Sequence, residues 1–237
     1  MATVTPKVAI IYYSSTGTIH AMAQDYAKGL ENAGAEVRIR KVHELAPPEA
    51  IAANEAWAQH AEATQDVPEA TADDVLWADA VVFGTPTRYG NVTAQLKQFI
   101  DTLGPQWAQG QLADKVYSGF TSTSTAHGGQ ESTLLAINNV FYHWGAVIVP
   151  PGYTNQVLYA AGGNPYGTSY PASPDDESVS AEALTAAHYQ GHRLARYASL
   201  LVAGRDARAD ARDGAAAASP LDLDPYDPPA HYATGVR

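Results

Sequence analysis

Short apolar runs separated by amphipathic stretches set the rhythm of this chain. Lys7–Tyr13, KVAIIYY, is β-branched and aromatic with almost no polar break. It reads as a buried parallel strand, because a strand with one wet face would alternate apolar and polar residues. A polar turn at Ser14–Thr18 follows, then a helical pattern from Thr18 to Ala33 closed by Gly34. Glu36–Val42 reads as a second strand, Asp79–Gly84 as a third behind a short helix around Asp73–Ala78, Lys115–Ser122 as a fourth and Ala146–Val149 as a fifth. Amphipathic segments at Ala94–Leu103 and Glu131–His143 lie between them, and a last helix spans Ala181–Ala203.

Strands that alternate with helices imply right-handed crossovers and a parallel sheet covered on both faces. The spacing predicts an α/β, doubly wound, flavodoxin-like domain over residues 1–204, with a five-stranded parallel sheet of order 2-1-3-4-5. Two insertions decorate it. Residues 45–70 are rich in Ala, Glu and Pro, and suggest a mobile helix. Residues 151–179 are rich in Gly, Pro, Tyr and Ser, and are too long for an ordinary loop. Residues 205–237 hold four basic and six acidic residues and little that could pack a core, so a disordered tail is expected there.

Composition narrows the chemistry. The chain has 237 residues and a net charge of -11, which argues against nucleic acid and against an electrostatic hold on anionic lipid. No apolar run approaches the ~20 residues that span a bilayer, and no basic-then-apolar leader is seen, so the cytoplasm is the expected location. There are no cysteines, which removes disulfides, thiolate catalysis and cysteine-held clusters. Redox chemistry would need a bound organic cofactor. The eight histidines show no metal-ligand spacing, and no metal is expected.

Ligands of doubly wound sheets bind beyond the carboxyl ends of the strands. Three loops reach that edge. The first is Ser14, Ser15, Thr16, Gly17, Thr18 and Ile19: hydroxyls and a glycine at a helix N-terminus, without the lysine of a nucleoside-triphosphate loop. Such a set suits a phosphate monoester held by neutral donors. The second, Gly84 to Asn91, has glycines near both ends, a stiffening proline, and Arg88 beside Tyr89; it could lie along a planar ring. The third, Thr121 to Gln130, is again rich in hydroxyls and glycine.

These segments resemble the WrbA family of NAD(P)H:quinone oxidoreductases. The resemblance rests on YYSSTGTIHAMA, FGTPTRYGN, the GGQES stretch, HWGAVIVPPGY, NPYGTS and AAHYQGHRLA, and covers about Lys7 to Ala203. It implies bound FMN as cofactor, NADH or NADPH as electron donor, a quinone as substrate, and a homotetramer. It also implies that Ser14 to Ile19 hold the phosphate. Pro86, Thr87, Arg88, Tyr89, Gly90 and Asn91 would line the isoalloxazine, and Thr123, Ser124, Thr125, Ala126, His127 and Gly128 would wrap its other edge. His143 matches a histidine near the flavin, Trp107 a tryptophan walling the substrate pocket, and Thr16 the nicotinamide contact. Thr16 departs from the pattern, since an aromatic often stands there, and so does His127, in a loop that is usually richer in glycine.

The implied reaction is ping-pong, with hydride passed to the flavin and two electrons then passed to the quinone, and with Arg88 and His143 as flavin-tuning candidates. The alternatives are a flavodoxin-type one-electron carrier, which the acidic charge fits, and a non-enzymatic flavoprotein scaffold or regulator. Arg88, Trp107 and the 151–179 insertion favour the enzyme over the carrier.

Overall fold

In a computed structural model, residues 4–173 and 178–213 are described, with side chains as far as residue 207. In chain order the elements are β1 (Lys7–Tyr12), α1 (Thr18–Asn32), β2 (Glu36–Lys41), α2 (Pro48–Ala52), α3 (Glu55–Ala63), α4 (Ala72–Trp77), β3 (Ala80–Pro86), α5 (Ala94–Thr102), α6 (Gly104–Ala108), β4 (Val116–Thr123), α7 (Gln130–His143), β5 (Val147–Ile148), α8 (Gln156–Ala160), β6 (Ser169–Pro171) and α9 (Ala181–Asp213).

The strand order is β2-β1-β3-β4-β5, all parallel, which is the doubly wound order expected from the sequence. The reason is visible in β1. Val8, Ile10 and Tyr12 pack into a core beneath α1 and α9, while Ala9, Ile11 and Tyr13 pack into a second core with α4, α5 and α7. A strand apolar on both faces is stable only between two helical layers. Each fully buried large side chain contributes about 1.5–3 kcal/mol, so β1 and β3 take the centre. EVRIRK, only half-buried, takes the edge as β2.

One correction concerns the strand count. The sheet has a sixth, short strand, β6, inside the segment expected to be an irregular insertion. β5 pairs with Val116 and Tyr117, whereas β6 pairs with Thr121, Ser122 and Thr123, farther along the same strand β4. The fifth position of the sheet is therefore filled by two half-strands laid end to end. The gap between them is closed by Gln190 of α9. Its Oε1 accepts from Thr168 N (2.7 Å), and its Nε2 donates to the Gly119 carbonyl (3.1 Å) and to Ser118 Oγ (2.8 Å).

The last helix was expected to end at Ala203 with disorder from 205, but α9 runs to Asp213. The Arg205 guanidinium anchors it by donating to the Asp114 carbonyl. The rest of the expected tail, 214–237, lies outside the described residues. The insertion 45–70 forms α2 and α3 rather than a single helix. Among the described residues no helix is long and apolar enough to cross a membrane.

Candidate functional site

The carboxyl ends of β1, β3, β4 and β6 open onto a cleft of about 560 Å³, within the usual range for small-molecule sites. Ser15, Thr16 and Thr18 of the first loop line it, with Pro86, Thr87 and Arg88 of the second and Thr123 and Ser124 of the third. Sequence reasoning brought these three loops together, and so does the structure.

The first loop is shaped to leave donors free. Gly17, at φ 101°, is the N-cap of α1 and lacks a side chain to cap it, while Ser14 Oγ turns inward to accept from Gly17 N (3.1 Å). The first intrahelical bond is Ala21 N to Gly17 O (2.9 Å), so the N–H groups before it have no acceptor within the helix. The first turn holds no acidic residue. An anion is the natural complement of such an end. Ile19 takes no part through its side chain, which is buried in the core.

The second loop is a tight turn. Arg88 and Asn91 exchange backbone hydrogen bonds (2.8 and 3.1 Å), and the two residues between them, Tyr89 and Gly90, both have positive φ (54° and 75°). Tyr89 is fully exposed at the tip. Thr87 fixes the base of the turn: its Oγ1 accepts from Gly90 N (3.1 Å) and from Thr133 Oγ1 of α7 (2.8 Å). Pro86, Thr87 and Arg88 thus face the cleft, whereas Tyr89, Gly90 and Asn91 form the turn above it.

The third loop behaves similarly. Thr123 Oγ1 donates to the Thr125 carbonyl (2.7 Å), which also accepts from Gly128 N (3.0 Å). That knot leaves Thr123 and Ser124 on the cleft, with Thr125, Ala126 and His127 exposed on its rim.

His143 and Trp107 are together but elsewhere. α7 starts beside the second loop, where a β-carbon on Gly129 would fall 2.7 Å from Gly90 Cα. The helix then runs 14 residues, about 21 Å, away from the cleft before reaching His143. There the His143 carbonyl accepts from Trp107 Nε1 (2.9 Å), at the amino-terminal edge of the sheet.

Asn54 and Ala56 of the 45–70 insertion also line the cleft, as do Ser122 and, from behind β6, Ala172 and Ser173. Sequence reasoning placed Ser122 in the third loop but did not single out the other four. The only signal for the first pair was the length of an insertion beside the right edge of the sheet.

Residues 6–157, which hold all three loops, match the family model described as NADPH-dependent FMN reductase. The chain is 52% identical over 167 residues to an NAD(P)H dehydrogenase (quinone) from Deinococcus radiodurans, covering 70% of this chain and 84% of that protein. The chain belongs to this family of flavin-dependent oxidoreductases. Another member, NAD(P)H dehydrogenase (quinone) 3 from Rhizobium meliloti, is 42% identical over 206 residues, covering 84% of this chain and 95% of its own. The family fold is also seen in a WrbA-like flavodoxin from Agrobacterium tumefaciens (TM-score 0.57, 22% identity, 83% of this chain and 99% of that one).

Proposed function

We propose that this chain binds FMN in the cleft and passes two electrons from NADH or NADPH to a quinone. The observation that carries the reading is the convergence of three hydroxyl-rich loops on one cleft with an uncapped helix N-terminus at its end. Family membership supports the same cofactor and the same class of reaction. The residues fit FMN: the α1 terminus offers N–H groups and hydroxyls to a phosphate, and a cleft of about 560 Å³ has room for a flat ring.

In this reading Ser14 to Ile19 hold the phosphate, Ser14 by shaping the turn and Ile19 through its backbone. Pro86 and Thr87 read one edge of the ring, and Thr123 and Ser124 the other. Bound FMN supplies the chemistry of accepting a hydride from the nicotinamide and returning two electrons to the quinone. The protein orients the partners and supplies charge. Arg88, on the cleft wall, would stabilise negative charge that develops on the ring. Thr16, also on the wall, is the proposed nicotinamide contact.

His143 and Trp107 are about one helix length from the cleft of their own chain. For them to serve the reaction, they must come from a neighbouring copy. A homotetramer with sites shared between subunits would bring them in, and exposed Leu135, Tyr142 and Val147, with the Tyr153–Tyr159 stack (5.4 Å), offer aromatic and apolar surface for such contacts. The cytoplasm, where reduced nicotinamides are available, is the proposed location.

The one-electron carrier draws support only from the acidic charge. Anaerobic mixing of the yellow protein with NADH or NADPH, then with benzoquinone, separates the two readings. Rapid bleaching followed by rapid reoxidation, with parallel double-reciprocal lines in the steady state, is the expected result. Failure of both nicotinamides to bleach the flavin would sink the enzyme reading.

A further inference from the structure

Among the described residues, the first loop offers a phosphate no cationic side chain of its own. A phosphate monoester carries about −1.5 to −2 near neutral pH, yet the loop from Ser14 to Ile19 has no lysine or arginine. Arg88 stands on the second loop with its guanidinium on the Thr87 carbonyl (3.0 Å). Lys41 is committed to the carbonyls of Thr64 (2.7 Å) and Gln65 (3.4 Å).

What does stand at the loop is a pair of imidazoles from two separate elements. His20 sits in the first turn of α1, its Nδ1 2.5 Å from the Tyr12 hydroxyl. His60 comes from α3, and its ring centre lies 5.4 Å from that of His20. His60 Nδ1 is 3.6 Å from where a β-carbon on Gly17 would be, so the ring rests against the turn that caps α1. The same inserted segment reaches the cleft through Asn54 and Ala56.

We propose that His20 and His60 form a proton-accepting counter-charge for the cofactor, so that binding of a phosphate monoester at the first loop draws a proton onto the pair. The inference rests on the FMN reading and concerns residues that the resemblance leaves without a role.

Without an anion, the surroundings disfavour the charged form of both rings. Burial, then the neighbouring His20 and the Lys41 ammonium, hold His60 down to about 4, and burial lowers His20. The positive end of α1 acts in the same direction. The other ionisable groups facing the pair are Tyr12 from β1 and, across a small cavity of about 120 Å³, Tyr13, Glu44 and Glu69. Both carboxylates have other partners. Glu44 accepts from Tyr13, Gln95 and two backbone N–H groups, and Glu69 is bonded to His43. A dianion arriving beside Gly17 reverses the local field, and an opposite charge nearby favours the protonated imidazole. The proton then sits on an imidazole nitrogen, its electron pair shared with that proton and its source the solvent.

The test is calorimetric titration of the full-length, flavin-free chain with FMN at about pH 6.5, in two buffers of different ionisation enthalpy. The wild type, His60→Gln and His20→Gln are compared, with riboflavin as the ligand that lacks phosphate. Net proton uptake is expected for the wild type with FMN. FMN binding as its dianion would itself release protons, so uptake has the opposite sign from the ligand's own contribution. Each variant should lose the uptake and bind FMN roughly tenfold more weakly, with riboflavin affinity unchanged. Thermal melts of the flavin-free variants establish that both remain folded, and either one suffices for the comparison. FMN binding without uptake, uptake that survives in both variants, or equal uptake with riboflavin overturns the inference and leaves the FMN reading standing. Absence of FMN binding by the wild type overturns both.

Discussion

Trp107 Nε1 donates to the carbonyl of His143 across 2.9 Å, tying together two residues 36 positions apart at the end of the molecule opposite the cleft. If the two act in a neighbour's cleft, a site can be rebuilt from two damaged chains. A Gly17→Val chain should lose FMN but keep its Trp107–His143 pair; a Trp107→Ala chain should keep FMN but lose the indole. Each homo-oligomer should be impaired, and differently tagged hybrids should regain activity. Light scattering should show a tetramer. A monomer of full activity at nanomolar concentration would remove the shared site, and so would hybrids no better than their parents.

Gly17 should be the most sensitive position of the first loop. Its φ of 101° lies where an L side chain costs about 1–2 kcal/mol, whereas the space for a β-carbon, 3.6 Å from His60, is adequate. Gly17→Ala should therefore weaken FMN at least tenfold by relaxing the turn, with a melting temperature lowered by no more than roughly 2–8 °C. Gly17→Val, whose branches would press on His60, should abolish binding. Fluorescence quenching of FMN titrated with each variant measures this. Unchanged affinity in Gly17→Ala would remove the turn from the phosphate site.

A second glycine matters for packing alone. A β-carbon on Gly191 would lie 2.2 Å from the Tyr26 carbonyl oxygen, and one on Gly29 would lie 2.0 Å from the carbonyl oxygen of His188. α1 and α9 thus touch backbone to backbone. Gly191→Ala must push them apart, and overpacking of this kind costs about 1–3 kcal/mol. For a domain of this size the melting temperature should fall by roughly 2–4 °C per kcal/mol. A variant that melts with the wild type would show that the helices are not held this close.

Glu44 gives stability a sign with respect to pH. Burial pushes its carboxyl up, but donors from Ala46 N, Gln95, Tyr13 and Leu45 N outweigh that and leave it below the usual range. A carboxylate held low in the folded state stabilises above its unfolded value of 4.5 and loses that contribution as pH falls through the folded value. The stability gap between wild type and Glu44→Gln should be wider at about pH 7 than at about pH 3, narrowing as the pH falls below 4.5. Urea denaturation at both values reads it; a gap that widens in acid would reverse the assignment.

The strands and their order were legible because KVAIIYY, DAVVFG and the run from Lys115 are apolar on both faces, a pattern with few other homes. β6 was not legible. Its three residues, Ser169–Pro171, are held by pairing with β4, and the preceding Thr168 N by Gln190, and neither partner is near in sequence. The hydroxyl-rich loops announced the cleft because their composition exceeds what a helix cap requires. Sequence spacing could not say which residues of each loop turn inward, since that depends on the Thr87–Thr133 and Thr123–Thr125 bonds. Nor could it say that His143 and His20 belong to opposite ends of the molecule. The His20–His60 contact depends on how an Ala- and Glu-rich insertion folds back on the sheet, and its periodicity carries no record of that.

Gln190 behaves as a spare peptide unit. Its carboxamide offers one acceptor and a donor in the gap between the half-strands, taking Thr168 N and giving to the Gly119 carbonyl much as the main chain of an unbroken strand would. A helix side chain has thereby freed the backbone from crossing that stretch. The excursion between Ile148 and Ser169 can then vary in length and content without a register slip in the sheet, because both ends of the strand are pinned independently of what joins them. The architecture makes this edge a permissive splice point, where new surface can be added to a redox domain while the walls of its cleft stay in place.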